Sequence, residues 1–438
     1  MSKYIDLSIG KILIGSFKIN FDLDLLSLFD RSDIVQHYST LEEEGLVEEY
    51  SHRAIVNPHL TVFYFKSSLS IIKDRLEIMG YTSEVAKEGF NKSIEYLVSN
   101  REYEISKEDF IDTSDQYPIS FFTQLTVEKW LDKFKYIAFD RDKYDTINTN
   151  HNSNEDLLES YIASRQWFGY PGNDILIFLR LVIDFFDPND QLIYNFTEYL
   201  YDQVDDEYEF IHELEAIASS PKSCIIITEG SSDTWIIQRS LKLLYPDLSR
   251  YYKFLKFDES NFSGGAGAIV NLIKAFIGVG INERIIALFD NDTAAEDSLR
   301  GIGSINIPEN IIISKYPDIK IAKNYPTMGP SGIVNMDING LAGSIEIYLG
   351  NNILQDENGN LTPIMWKGYN STLKKYQGEL IDKNKFHSKI DNQLSLCENN
   401  PALIANFDWN DIDMILKQLF TSFHKLDRTI ILENLYAD

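Results

Sequence analysis

The feature that most constrains this chain is a pair of apolar runs that each stop at carboxylates. The first is Cys224-Ile225-Ile226-Ile227-Thr228-Glu229-Gly230-Ser231-Ser232-Asp233, and the second is Ile285-Ile286-Ala287-Leu288-Phe289-Asp290-Asn291-Asp292. Short β-branched and aromatic runs bounded by glycine and polar residues predict strands buried on both faces, as in a parallel sheet. In open α/β sheets the carboxyl ends of such strands form the rim where ligands collect. Two strands of this kind bring Glu229, Asp233, Asp290 and Asp292 to one rim. Unpaired carboxylates crowded together repel one another, so the pattern implies a divalent cation.

The spacing within each motif sharpens that expectation. Glu229 and Asp233 lie four residues apart across a predicted strand-to-helix turn, with Gly230 permitting the tight turn. Asp233 then falls in the first helical turn, where a carboxylate suits the helix dipole. Asp290 and Asp292 are two apart, and on extended backbone such side chains point the same way. Ligands made only of oxygen select Mg²⁺ or Mn²⁺ over zinc. A pair of such ions about 4 Å apart suits phosphodiester cleavage, one activating water and the other stabilising the leaving oxygen. Zinc has no support: the seven histidines form no closely spaced ligand pair, and Cys224 and Cys397 are far apart.

Around these motifs the texture is that of an α/β protein. Strands are expected at Cys224–Thr228, Tyr252–Phe257, Ile285–Asp290 and Ile311–Tyr316, and helices at Ser232–Leu244, Ala266–Val279 and Ala294–Gly301. The β-α-β-α-β order implies a parallel sheet flanked by helices, with right-handed crossovers. Upstream, residues 1–20 alternate about Gly10 as a hairpin does, His59–Phe65 reads as a strand, and Leu69–Met79 and Val85–Val98 carry helical periodicity. Glu42-Glu43-Glu44 with Glu48 and Glu49 reads as a solvated acidic face, Thr146–Glu155 as a loop, and Leu157–Tyr201 as helical with breaks at Gly169–Gly172 and Pro188. Pro221 after two serines suggests a domain join. The expected organisation is an α+β domain over 1–220, an α/β domain over 221–350 and a mostly helical extension over 351–438.

The net charge of -27, from 40 basic and 67 acidic residues, argues against a protein that coats nucleic acid non-specifically. It leaves room for a local basic channel. Lys367, Lys374, Lys375, Lys383, Lys385 and Lys389, interleaved with Tyr369 and Tyr376, supply either such a strip or a solvated face. No run of about 18 apolar residues is present, so no membrane span is expected. With two cysteines and no apolar leader after Met1, the expected location is the cytoplasm. Ser263-Gly264-Gly265-Ala266-Gly267 ahead of a predicted helix reads equally as a phosphate cradle or a plain turn. Arg31 and His37 fit the Arg-x(4–6)-His spacing of HEPN ribonucleases, although that pair belongs on a helix.

Glu229-Gly230 followed by Asp290-Asn291-Asp292, in this strand order, resembles a Toprim domain, the fold shared by topoisomerases, bacterial primases and OLD-type nucleases. Asp233 resembles the OLD-like nuclease branch, and Ser344-Ile345-Glu346-Ile347-Tyr348-Leu349 is similar to the Ile-Glu-x-Tyr-Leu segment of related defence nucleases. The N-terminal half, with Ser67-Ser68 and Arg75-Leu76-Glu77-Ile78-Met79-Gly80-Tyr81-Thr82, is similar to the domain that precedes Toprim in the HEPN/Toprim-associated family.

The resemblance implies a Mg²⁺- or Mn²⁺-dependent endonuclease acting on DNA or RNA, in bacterial anti-phage defence. A topoisomerase- or primase-like activity is the alternative. It also implies Glu229 as a metal ligand or general base, Asp233, Asp290 and Asp292 as metal ligands, and Glu346 as a further ligand, with Glu296 competing for that place. A lysine that stabilises charge on the phosphate is implied too; Lys383 is the candidate, beside Lys385 and Lys389. The ATPase that precedes Toprim in OLD proteins has no counterpart motif in this sequence, which leaves regulation either to a separate partner such as an ATPase or to the N-terminal domain, and a homo-oligomer is compatible with the pattern.

Overall fold

The computed structural model describes residues 5–17, 23–44, 46, 58–106, 117–140, 157–218, 223–255, 264–330 and 332–436. The acidic residues Glu48 and Glu49, the loop at Thr146–Glu155, the join at Ser219–Lys222, Phe257 at the end of one expected strand and Ser263 of the glycine-rich turn lie outside the described residues. The chain forms two compact units, Met1–Pro221 together with Asp427–Asp438, and Lys222–Leu426. The last twelve residues, expected in the C-terminal extension, thus group with the first unit.

The first unit is built on a five-stranded sheet. Its strands are β1 (Ile5–Ile9), β2 (Ile12–Phe17), β3 (Ile34–Thr40), β4 (His59–Ser68) and β5 (Gln191–Asn195), in the order β2-β1-β5-β4-β3, all antiparallel to their neighbours. The hairpin expected about Gly10 is present, with Gly10 at φ +54°. β5 corrects the expectation of helix throughout Leu157–Tyr201. Leu192, Tyr194 and Phe196 alternate into the core, and a period of two over a short segment outweighs the helical pattern around it. The helices Leu69–Ile78, Ser83–Ser106, Val127–Ala138 and Ile175–Val182 bury Trp130, Phe90, Phe134 and Phe178 in one aromatic core. Arg75 is fully buried there; its Nη1 donates to Leu28 O and to Asp33 Oδ2, an internal ion pair. Arg31 lies in a single 3-10 turn and His37 stands on β3 beside Glu44, so the pair is not on a helix.

The second unit contains the expected parallel sheet. Strands β6 (Cys224–Ile227), β7 (Tyr252–Phe254), β8 (Ile285–Phe289) and β10 (Ile311–Lys315) lie in the order β10-β8-β6-β7. β8 is buried at every position, as its continuous apolar run requires. The chain runs from β6 outward to β7 and then returns to the other side of β6 for β8. That reversal is the topological switch point of the sheet, and the crevice beyond it is where α/β proteins bind ligands.

Beyond β8, a two-residue strand β9 (Asn291–Asp292) pairs with β13 (Ala342–Gly343). A four-stranded sheet of β11 (Tyr325–Gly329), β12 (Gly332–Met336), β14 (Ile364–Asn370) and β15 (Lys375–Leu380) follows in the order β12-β11-β14-β15. The β14–β15 hairpin corrects the expectation of a helical extension from residue 351. Asn370 Oδ1 accepts from the N–H groups of Thr372 and Leu373 and Lys374 adopts φ +55°, which fixes a turn where helical periodicity had been read. The expected helices do occur after it, at Lys383–Asn399, Asn410–Thr421 and His424–Asn434.

Candidate functional site

β6 and β8 are hydrogen-bonded neighbours in register, Ile227 opposite Ala287, so the residues that follow them emerge side by side at the switch point. Glu229 leaves β6 there. Gly230 caps the helix Ser231–Leu244, which places Asp233 on its first turn. Asp290 follows β8 directly, and its backbone N–H donates to Glu229 Oε1 at 3.0 Å. Asp292 caps the helix Thr293–Leu299 by accepting from Ala295 N at 2.7 Å. Glu229, Asp233, Asp290 and Asp292 therefore share one rim, and Glu229 and Asp290 feel the negative charges of others in the set.

The electrostatics are those of a repulsive cluster. Burial, assisted by the charges of Asp292 and Asp233, pushes the Glu229 carboxyl up to about 7 despite the N–H groups of Asp290 and Ala266 that hold it down. Burial, then the charges of Asp233, Glu229 and Asp292, push Asp290 well above the usual carboxylate range. Asp233 is raised by burial, against a hydrogen bond from Tyr316 that lowers it. Asp290 Oδ1 is buried and has no hydrogen-bond partner. An unpaired buried carboxylate oxygen is costly unless a cation completes it. No three His, Cys, Asp or Glu side chains among the described residues already close on one ion-sized point. The donor set is oxygen only and fits a hard divalent cation, which would draw these side chains inward.

Three neighbours of the rim were not singled out from the sequence. Tyr316, just past β10, is buried, and its hydroxyl donates to Asp233 Oδ1 at 2.7 Å while its backbone N–H donates to Phe289 O at 2.9 Å. Its place at the carboxyl end of a strand next to β8 was the available signal. Gln377 on β15 donates from Nε2 to Asp292 Oδ2 at 2.7 Å and accepts at Oε1 from Ala294 N at 2.8 Å. Nothing local in the sequence marks it. His387 lies one helical turn after Lys383 and faces Glu346, a spacing visible only once that helix is assigned.

Glu346 and Lys383 are brought together. The segment Ser344–Tyr348 follows β13, which pairs with β9, and Glu346 lies buried in a 3-10 turn. Its Oε2 lies 3.2 Å from Lys383 Nζ, and Oε1 lies 2.8 Å from His387 Nε2. Although burial works to raise it, His387, Lys383 and Ser344 hold the Glu346 carboxyl at about 2. Burial pulls Lys383 down, but the charges of Glu346, Asp290 and Asp233 raise it overall. The competitors stand elsewhere: Lys385 is exposed, and Lys389 donates to the carbonyls of Ile353 and Gln355. Glu296 pairs with Lys375 at 2.7 Å. The remaining basic residues Lys367 and Lys374 lie on the β14–β15 hairpin with Tyr369 and Tyr376, the former paired with Glu379.

The glycine-rich turn packs on the same rim. Gly265 N donates to Glu229 O at 2.7 Å, and a Cβ on Gly264 would stand 2.7 Å from that oxygen, so this turn supports Glu229 through its backbone. Among the described residues no helix is long and apolar enough to cross a membrane. No curated protein and no solved structure matches the chain. Residues 1–201 match the family model of HEPN/Toprim N-terminal domain 1, which is what the N-terminal part of the chain is similar to.

Proposed function

We propose that this protein is a divalent-metal-dependent phosphodiester hydrolase that cleaves DNA or RNA, with its active centre at the rim of Glu229, Asp233, Asp290 and Asp292. The observation that carries this reading is the buried Asp290 Oδ1, without a partner, among three further carboxylates at the switch point of a parallel sheet. The HEPN/Toprim N-terminal domain, known beside Toprim-type partners by its name, is in keeping with it. When bound, Mg²⁺ or Mn²⁺ supplies the Lewis acidity that lowers the pKa of water and stabilises the leaving oxygen. Asp233, Asp290 and Asp292 would hold such ions, two being the natural number for this chemistry.

The chain's own groups do the rest. Tyr316 and Gln377 orient Asp233 and Asp292. Glu229, whose Oε1 accepts from the Asp290 N–H at the rim, would serve either as a ligand or as the base that takes a proton from the attacking water. The water oxygen bonds to phosphorus, the P–O bond to the leaving strand breaks, and the leaving oxygen takes a proton from solvent. Lys383, which feels the charges of Asp290 and Asp233, would neutralise charge on the phosphate. A strand-transferring enzyme would instead need an accessible tyrosine nucleophile; Tyr316, which reaches the cluster, is buried with its hydroxyl committed to Asp233.

The test incubates the full chain with labelled DNA, RNA and supercoiled plasmid in Mg²⁺, Mn²⁺ or chelator. Metal-dependent cleavage without religation is expected. Cleavage undiminished in chelator, or religated plasmid of altered linking number, would overturn the proposal.

A further inference from the structure

The hairpin of β14 and β15 carries an aromatic surface that the carboxylate rim does not use. Tyr369 and Tyr376 are cross-strand partners with ring centroids 5.0 Å apart, and the Trp366 ring lies 5.8 Å from that of Tyr376. Strict alternation along β14 would send Trp366 and Tyr369, three residues apart, to opposite faces. The register shift between Trp366 and Gly368 leaves Lys367 as the extra residue of a bulge, which returns Tyr369 to the face of Trp366. Opposite Trp366 stands Gly378, where a Cβ would lie 3.0 Å from the indole and 2.5 Å from Ile364 Cγ2. The glycine lets the indole lie flat against the neighbouring strand.

That face begins in the core and ends in solvent. Ile364 and Leu380 at its base are buried, whereas Tyr369 and Tyr376 are 54% and 52% exposed. The other face of β15 serves the rim: Gln377 holds Asp292, and Lys375 pairs with Glu296. Thr293 Oγ1 donates to Tyr376 O at 2.7 Å, which ties the strand to the helix that Asp292 caps. The aromatic row therefore begins one residue from the side chain that touches Asp292, on the outermost strand of its sheet. Residues 364–380 carry three lysines against one glutamate in a chain of net charge -27, and Lys374 at the tip is exposed. Aromatic rings in a row beside positive charge suit unpaired bases, whose π-faces stack on them while lysines follow the phosphates. Within a duplex those faces are covered by neighbouring bases.

Resting on the phosphodiester-cleaving reading above, we propose that Trp366, Tyr369 and Tyr376 form a stacking platform for the unpaired bases of a single-stranded substrate whose cleaved phosphate lies at the rim. The ligand is a single strand of DNA or RNA, held with little regard to base identity because every base has a π-face. An aromatic pair kept only to stabilise the hairpin would bind no bases.

The test is fluorescence anisotropy of the full chain in Ca²⁺ with labelled oligo-dT, oligo-U, an abasic strand of equal length and a duplex. Wild type is compared with Tyr369→Val and Tyr376→Val, since valine keeps the strand propensity and removes the ring. Both sites are more than half exposed, so folding is not at stake, and circular dichroism checks it. Wild type should bind an intact single strand more tightly than the abasic strand or the duplex, and the tighter of oligo-dT and oligo-U identifies the substrate as DNA or RNA. Loss of one base–aromatic stack weakens binding by about 5- to 150-fold. Each variant should lose that much on the intact strand and nothing on the abasic one. Equal affinity for intact and abasic strands, preference for duplex, variants that bind as wild type does, or a wild type that binds no strand would each overturn the platform. Mn²⁺ titration of the wild type tests the metal reading separately: its absence, with the preference for intact strands and its loss in the variants preserved, would fell that reading and leave the platform as a binding site.

Discussion

Replacing Asp290 by Asn should make the metal-free protein more stable and the metal-loaded protein comparatively less so. Asparagine keeps the shape of the side chain and removes its charge. In chelator, Asp290 has a buried, unpartnered Oδ1 and is repelled by Asp233, Glu229 and Asp292. Leaving such a group unsatisfied costs about 1–3 kcal/mol. Glu229 gives a second measure of the same strain: holding a carboxyl at about 7 instead of 4.5 costs about 3 kcal/mol once it ionises. A gain of about 2 kcal/mol is therefore expected for Asp290→Asn at pH 8, or about 4–8 °C for a unit of this size. With Mn²⁺ at a hundred times its Kd, the wild type gains about 2.7 kcal/mol and the variant nothing, so the order of melting inverts. Calorimetric scans of both proteins in chelator and in Mn²⁺ measure this. A variant that melts at or below wild type in chelator, or that gains as much from Mn²⁺, would refute the reasoning.

Further outcomes follow from the same geometry. Because the folded-state pKa of Glu229 is raised, folding holds a proton that the unfolded chain has released. In chelator the stability is therefore greatest below about 4.5 and falls, by up to about 3 kcal/mol, as pH rises through about 7; urea unfolding from pH 5 to 8 checks the slope, and a flat profile contradicts it. Tyr316→Phe removes the donor to Asp233 Oδ1, and a loss of about 1–3 kcal/mol is expected in thermal unfolding, together with weaker Mn²⁺ binding. In the N-terminal unit, Arg75→Met strands the buried Asp33 carboxylate, and urea unfolding should show a loss of about 3–5 kcal/mol.

The parallel sheet and its rim were legible because they rest on local signals. A continuous Ile/Leu/Phe run encodes a strand buried on both faces, and a glycine or aspartate at its end encodes the turn and cap that follow. What the sequence hid depends on tertiary pairing. β5 reads locally as part of a helical stretch, yet it sits in mid-sheet because β1 and β4 flank it. The β14–β15 hairpin is polar on much of its surface and has no strong period, so only its pairing with β11 settles its state. Gln377 and Tyr316 reach the rim from distant segments, 85 and 83 residues away from the aspartates they hold. Glu346 illustrates the limit most clearly. Its motif is local, but its partners Lys383 and His387 stand 37 and 41 residues further on and are brought in by the fold.

The most direct measurement is Mn²⁺ binding itself, followed by electron paramagnetic resonance at pH 8 in wild type and in Asp290→Asn. Loss of the free-ion signal in the presence of wild type, reversed by Mg²⁺ and absent in the variant, is the predicted result. A wild type that leaves the free Mn²⁺ signal unchanged, or a variant that binds as wild type does, would contradict a cation-holding rim at Glu229, Asp233, Asp290 and Asp292.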